Sequence, residues 1–154
     1  MNKLKVSVSP HIHSRVTTQK IMLDVIIALV PSAVAGCIIF GIRSLFVMLT
    51  SVAAAVIAEL LFCLACKREI TIYDLSAVVS GLILALSLPV TMPLWQVAVG
   101  AVFAIIIVKC IFGGIGQNFA NPAVTARVFM IIAFSKTVAA TAVPKGVDAV
   151  SSAT

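Results

Sequence analysis

The chain has 154 residues, of which 62% are hydrophobic and only 10% charged, with a mean hydropathy of +1.21. A soluble domain is nearer half apolar and a quarter charged, so these proportions exclude an ordinary water-soluble globule and make a lipid bilayer the solvent for most of its surface. The net charge of +6 would suggest nucleic acid on a soluble protein, but here the basic residues punctuate apolar runs, so no nucleic-acid partner is expected and the charge reads as an orientation signal.

The first twenty residues keep returning to polar groups as far as Lys20, and no cleavable leader is expected. They form an N-terminal segment ahead of the membrane. His11 and His13 point the same way on an extended strand, but no third ligand is near, and no metal is expected.

Five apolar runs follow, from about Ile21 to Gly41, Leu45 to Cys66, Ile72 to Leu88, Leu94 to Phe112, and Pro122 onward. Lipid leaves every backbone polar group to be satisfied within the protein, and these runs lack the alternation of a barrel. The fold class expected is all-α: a polytopic membrane helix bundle of about five spans or half-spans. The first four runs are close to the roughly 17–25 residues that cross a bilayer. The fifth is ambiguous, because its purely apolar part, Val128 to Phe134, is short and reaches span length only by continuing to about Val143. Residues 1–20, 21–143 and 144–154 are therefore an N-terminal segment, a membrane domain and a polar tail.

If the helices alternate, Lys3, Lys5, Arg15, Lys20, Lys67, Arg68, Lys109 and Arg127 share one side, and Arg43, Lys136 and Lys145 share the other. The positive-inside rule places the N-terminus in the cytoplasm and Thr154 outside. A re-entrant fifth segment would bring Thr154 to the cytoplasmic side instead.

Asp24, Glu59 and Asp74 lie in or near the apolar runs. A charge at mid-bilayer costs about 2.5–3.5 kcal/mol on insertion scales. Asp24 and Asp74 sit near helix ends and can reach water. Glu59 is deeper, and two roles stay open for it: an ion or proton relay, or a structural hydrogen bond to a neighbouring helix. Cys63 and Cys66 form a CxxC without a second pair or a nearby histidine, and read as small apolar residues closing a helix. Trp95, after Pro93, suits an interfacial anchor. Gly113, Gly114 and Gly116 break the chain before Asn121, which can cap a helix, and Pro122, which fits its first position. A glycine-rich break of this kind fits either a capped loop or irregular backbone lining a site.

The tail ends Asp148-Ala149-Val150-Ser151-Ser152-Ala153-Thr154. This motif looks like an acceptor for covalent flavin. Together with Ser9-Pro10-His11-Ile12, the run from Ile21 to Pro31, the run from Gly81 to Pro89 and the stretch from Gly113 to Phe129, it resembles one family over nearly the whole chain. That family joins RnfD, a membrane component of the Rnf ion-translocating ferredoxin:NAD oxidoreductase complex, with NqrB, its counterpart in the sodium-translocating NADH:quinone reductase. The resemblance implies FMN joined by a phosphoester to Thr154, with Asp148, Ser151, Ser152 and Ala153 as the surrounding motif. It implies a Mg²⁺-dependent flavin transferase that uses FAD as donor, and leaves room for a second, non-covalent flavin such as riboflavin. It also implies electron transfer between ferredoxin and NAD coupled to Na⁺ or H⁺ movement in the bacterial cytoplasmic membrane, with RnfA, RnfB, RnfC, RnfE and RnfG as partners. No residue of this chain is expected to be catalytic. Family members are about twice this long, so the chain is expected to be an N-terminal half that continues beyond Thr154 into the rest of an inverted-repeat, transporter-like fold. The quinone-reductase component, or a non-redox channel or transporter half, is the alternative reading.

Overall fold

A computed structural model of the chain describes residues 17–67, 72–114, 116–118, 120–140 and 144. They form an all-α bundle with no strand among the described residues. Helix α1 spans Thr18–Phe40 and α2 Ile42–Ala65; these two are long and apolar enough to cross a membrane. Thr17 caps α1, its Oγ1 accepting from the Lys20 backbone N–H at 3.4 Å. A single residue, Gly41, separates the two helices. Its φ of 78° is the left-handed conformation that a residue without Cβ adopts at no steric cost, which lets the chain reverse without a longer loop.

Helix α2 is the hub. Ser44, Val47, Met48, Ser51, Ala55, Ala58, Glu59 and Cys63 are buried along it, a stripe at the three-to-four-residue helical repeat. Small residues on the stripe let α3, Ser76–Ser87, approach closely. Ser51 Oγ donates to the Gly81 carbonyl at 2.7 Å across this contact.

The third apolar run is shorter as a helix than its hydropathy suggests. Ile72–Asp74 forms one 3₁₀ turn, and Leu75 then takes a left-handed φ of 59° that stops helix from propagating back through the run. The remaining 12 residues of α3 reach about 18 Å at 1.5 Å each, against a hydrocarbon core of about 30 Å. Pro89 bars continuation at the other end.

Helix α4 is Leu94–Phe103 and continues as a π-helical segment, Ala104–Cys110. Helix α5 is Pro122–Ala133, capped as expected by Asn121, whose Oδ1 accepts from the backbone N–H of Ala123 at 3.0 Å and Val124 at 3.5 Å. Phe134, at φ −131° and ψ 45°, breaks this segment before the single turn of α6, Ser135–Val138. The fifth run is thus a half-length helix followed by a bend rather than one continuous span.

Leu84, Met92, Val97, Ile105 and Met130 fill the core where α2, α3, α4, the π segment and α5 meet. Helix α1 has no buried residue, and Ile38 on α1 and Ile132 on α5 are 72% and 78% exposed. So much exposed apolar surface suits lipid and further protein rather than water. At one end of the bundle, Arg43 closes the α3–α4 loop: Nε donates to Val90 O at 2.9 Å, and Nη2 to Thr91 O at 3.3 Å and Met92 O at 3.4 Å. At the other end α2 finishes, α3 and α5 begin, and the π segment terminates.

Candidate functional site: a buried charge pair beside a polar cavity

Glu59 lies six residues before the end of α2, about 9 Å inside the bundle at 1.5 Å per residue, and is 1% exposed. Opposite it stands Lys109, from the π segment, 2% exposed. Lys109 Nζ lies 2.5 Å from Glu59 Oε1 and donates to Ser76 Oγ at 2.7 Å. Ser76 is the first residue of α3, aimed inward by the left-handed turn at Leu75. Left-handed backbone at a branched residue is uncommon and is retained where surrounding structure enforces it. Three elements thus converge on one ammonium.

The pairing is what makes these charges tolerable. Each buried ion alone carries a large desolvation cost; together they are neutral and share hydrogen bonds. A carboxylate with an ammonium partner is therefore a stable resting arrangement, and one in which neither group is committed to water.

The backbone around Lys109 is shaped for this. In the π segment N–H groups bond five residues back: Ile111 N to Ile106 O at 3.1 Å and Gly114 N to Lys109 O at 3.1 Å. π turns recur at functional sites. Gly113 and Gly114 follow at φ 111° and 98°, and a Cβ at Gly113 would run into the Gln117 side-chain amide. With its amide nitrogen turned inward, Asn118 donates to Lys109 O at 3.3 Å and Gly114 O at 2.9 Å. The glycine-rich break is therefore irregular backbone folded onto a site.

Beside the pair is a cavity of 180 Å³ lined by Ser76, Ser80, Lys109, Asn118 and Asn121 among others. Two of the further hollows among the described residues differ sharply in polarity. One of 370 Å³ carries Arg127, Ser44 and Ser87. The other, 400 Å³ between α1 and α2, is wholly apolar, with Ala33, Cys37 and Val52 in its wall. Gln96 Oε1 is buried with no hydrogen-bond partner among the described residues.

Of the residues singled out from sequence, Glu59 is at the centre of the site. Thr154, Asp148, Ser151, Ser152 and Ala153 lie outside the described residues, as do His11 and His13. Cys63 is buried and Cys66 exposed, and Trp95 is exposed and packs edge-on against Phe134 at 5.5 Å. Two of the basic residues are placed differently from simple topological charges. Lys109, counted with the larger basic group, is buried inside the bundle, where the Glu59 carboxylate stands next to it and needs a counter-charge. Arg127 lies within α5 and lines a cavity with Phe40 and Pro89, near the Arg43 end. Without these two the basic residues divide six to three, in the same direction. Sequence reading missed Lys109 and Ser76 as site residues. The signal for Lys109 was its position within the apolar run from Leu94 to Phe112 rather than beyond it; Ser76 carried none.

Residues 5–154 match the NQR2, RnfD, RnfE family. The chain is 42% identical over 156 residues to the D component of the Na(+)-translocating ferredoxin:NAD(+) oxidoreductase complex of Acetobacterium woodii, covering 100% of this chain and 49% of that protein. It is 41% identical over 157 residues to the D component of the proton-translocating ferredoxin:NAD(+) oxidoreductase complex of Clostridium ljungdahlii, covering 99% and 47%. To the D component of an ion-translocating oxidoreductase complex of Escherichia coli it is 39% identical over 132 residues, covering 84% and 38%. The chain spans about half the length or less of these curated relatives.

Proposed function

The chain belongs to the NQR2, RnfD, RnfE family, and from that premise we propose that it is the N-terminal portion of a membrane subunit that carries covalent FMN and couples electron transfer between ferredoxin and NAD to movement of Na⁺ or H⁺. The relatives named above are subunits of ion-translocating oxidoreductase complexes, and this chain's role is read in the same way, as one part of a complex and not a complete enzyme.

The observation that carries the ion-moving part is the Glu59–Lys109–Ser76 cluster. An ionisable pair inside a membrane bundle is expensive to bury and marks a path for ions or protons. It stands next to a polar cavity whose wall includes Lys109 and Ser76, the two partners in the cluster.

The flavin part rests on the tail. Thr154 supplies the hydroxyl nucleophile that a phosphoester requires. In the attachment reaction that oxygen forms a bond to the FMN phosphorus of FAD, the pyrophosphate bond breaks, AMP leaves and the hydroxyl proton is lost. The small residues Ser152 and Ala153 give a transferase access, and Asp148 is the group it would read. Once bound, the flavin supplies the redox chemistry, and the protein supplies position and environment. A second, non-covalent flavin belongs to the same reading, as do the remaining Rnf components and the transferase as partners. The N-terminus is assigned to the cytoplasm and Thr154 to the outer face of the cytoplasmic membrane.

The family also includes NQR2, which keeps the corresponding component of a Na⁺-translocating quinone reductase as the second reading; the names of the relatives, ferredoxin:NAD(+) oxidoreductase components in two of three cases, favour the first. In-gel flavin fluorescence of the denatured full-length protein, coexpressed with its transferase, tests the proposal: a fluorescent band is expected, and a dark band from a flavin-replete, active complex would refute it.

A further inference from the structure

We propose that Lys109 is a tethered counter-cation: its ammonium occupies, at Glu59 and Ser76, the place a Na⁺ ion takes when the carboxylate accepts one, and it yields that place by swinging into the adjoining polar cavity. This rests on reading the subunit as ion-moving, and it adds what controls access to the carboxylate.

The chemistry of exchange is balanced. Lys109 Nζ is held by a carboxylate oxygen at 2.5 Å and a hydroxyl oxygen at 2.7 Å, and hard monovalent cations take the same oxygen donors. Ammonium and Na⁺ carry the same charge. Swapping one for the other keeps Glu59 paired before and after the exchange, and the displaced ammonium keeps its charge and is solvated by the polar groups of the cavity. Room for the displaced side chain exists in the 180 Å³ cavity, where Ser80, Asn118 and Asn121 offer oxygen acceptors. Lysine suits the task, being a compact charge on a flexible four-carbon stem.

The π segment supplies a means of moving it. Relative to an α-helix, a π turn accommodates one extra residue. Reverting to α geometry would rotate Lys109 about the axis by about 100°, away from Glu59. Gly113 and Gly114, both at positive φ, are placed to absorb such a register change.

The test uses the full-length protein in its complex, at fixed pH and ionic strength, with Na⁺ exchanged for choline. Lys109→Met removes the internal competitor. It is expected to show a saturable, Na⁺-specific rise in Tm larger than that of the wild type, and Lys109→Met with Glu59→Gln is expected to lose it. Equal Tm of Lys109→Met in Na⁺ and choline overturns the proposal. So does failure of Lys109→Met to accumulate in every salt while the double variant accumulates, since the carboxylate is then one that no ion reaches. A second measurement needs no variant: mass spectrometry of the wild-type complex after brief acetic anhydride treatment. Lys109 acetylation is expected to be faster in Na⁺ than in choline, and equal rates overturn the proposal. A complex that transports no ion, yet shows the Na⁺-specific shift, would refute the proposed function and leave this exchange standing. A transporting complex whose Lys109→Met form ignores Na⁺ would do the reverse.

Discussion

Gly81 sets the distance between α2 and α3, and filling it should separate them. A Cβ at this position would lie 3.0 Å from Val52 Cα, 3.1 Å from Ser51 O and 3.1 Å from Ala55 Cβ. Two of these are backbone atoms of α2, so no rotamer change relieves the contact, and α3 must retreat by a few tenths of an ångström. The 2.7 Å bond from Ser51 Oγ to Gly81 O would stretch as it does. Overpacking of this kind costs about 1–3 kcal/mol, and replacing glycine by alanine within a helix returns up to about 1 kcal/mol. Gly81→Ala should therefore lose about 1 kcal/mol net, and Gly81→Leu about 3 kcal/mol or more. Gly36→Ala is the internal control, because its Cβ meets only Ser44 Oγ, at an ordinary 3.4 Å; it should be neutral or stabilising by up to about 1 kcal/mol. Thermal unfolding of the full-length protein in detergent, followed by circular dichroism, separates these cases. A Gly81→Leu protein as stable as Gly36→Ala would refute the close approach of the two helices. Because Ser76 is on α3 and Glu59 on α2, the same substitution should draw Ser76 away from the Glu59–Lys109 pair.

Glu59→Gln should lower ions moved per electron while leaving covalent flavin intact, measured by vesicle transport alongside in-gel fluorescence; unchanged transport would leave Glu59 a packing role only. Asn121→Ala removes the cap on α5 and should cost about 1 kcal/mol, visible as faster hydrogen exchange at Ala123 and Val124, whose N–H groups it holds; unaltered exchange would show that the cap is idle. Phosphatase fusions should be active in the Pro89–Pro93 loop and after Val143, with a cytoplasmic N-terminus; activity in the loop with silence after Val143 would make the fifth segment re-entrant.

Helices α1, α2 and α4 were legible because each is a long apolar run, and α5 because Asn121-Pro122 is a helix start with a stated mechanism. Local chemistry suffices for such features. The turn at Leu75 was not legible, since leucine favours helix and nothing in its neighbours demands a left-handed residue. The π segment was equally hidden: its residues, Ala104–Cys110, differ in no compositional way from an α-helix. The break at Phe134 separates an apolar run from Ser135-Lys136, and only the change in polarity hinted at it. Glu59 could be picked out as a deep carboxylate, but its partner lies 50 residues away. Charge counting grouped Lys109 with the orienting residues because the positive-inside rule reads every lysine near a run's end as topological. Pairing in three dimensions overrode that rule.

Mass spectrometry of the peptide spanning Asp148–Thr154, from full-length protein coexpressed with its flavin transferase, tests the central claim most directly. The peptide should carry the mass of FMN in phosphoester linkage on Thr154. Thr154→Val should remove that mass while leaving the helices inserted, since Thr154 lies beyond every apolar run. An unmodified wild-type peptide, recovered from an assembled complex that transfers electrons at the normal rate, would contradict the claim.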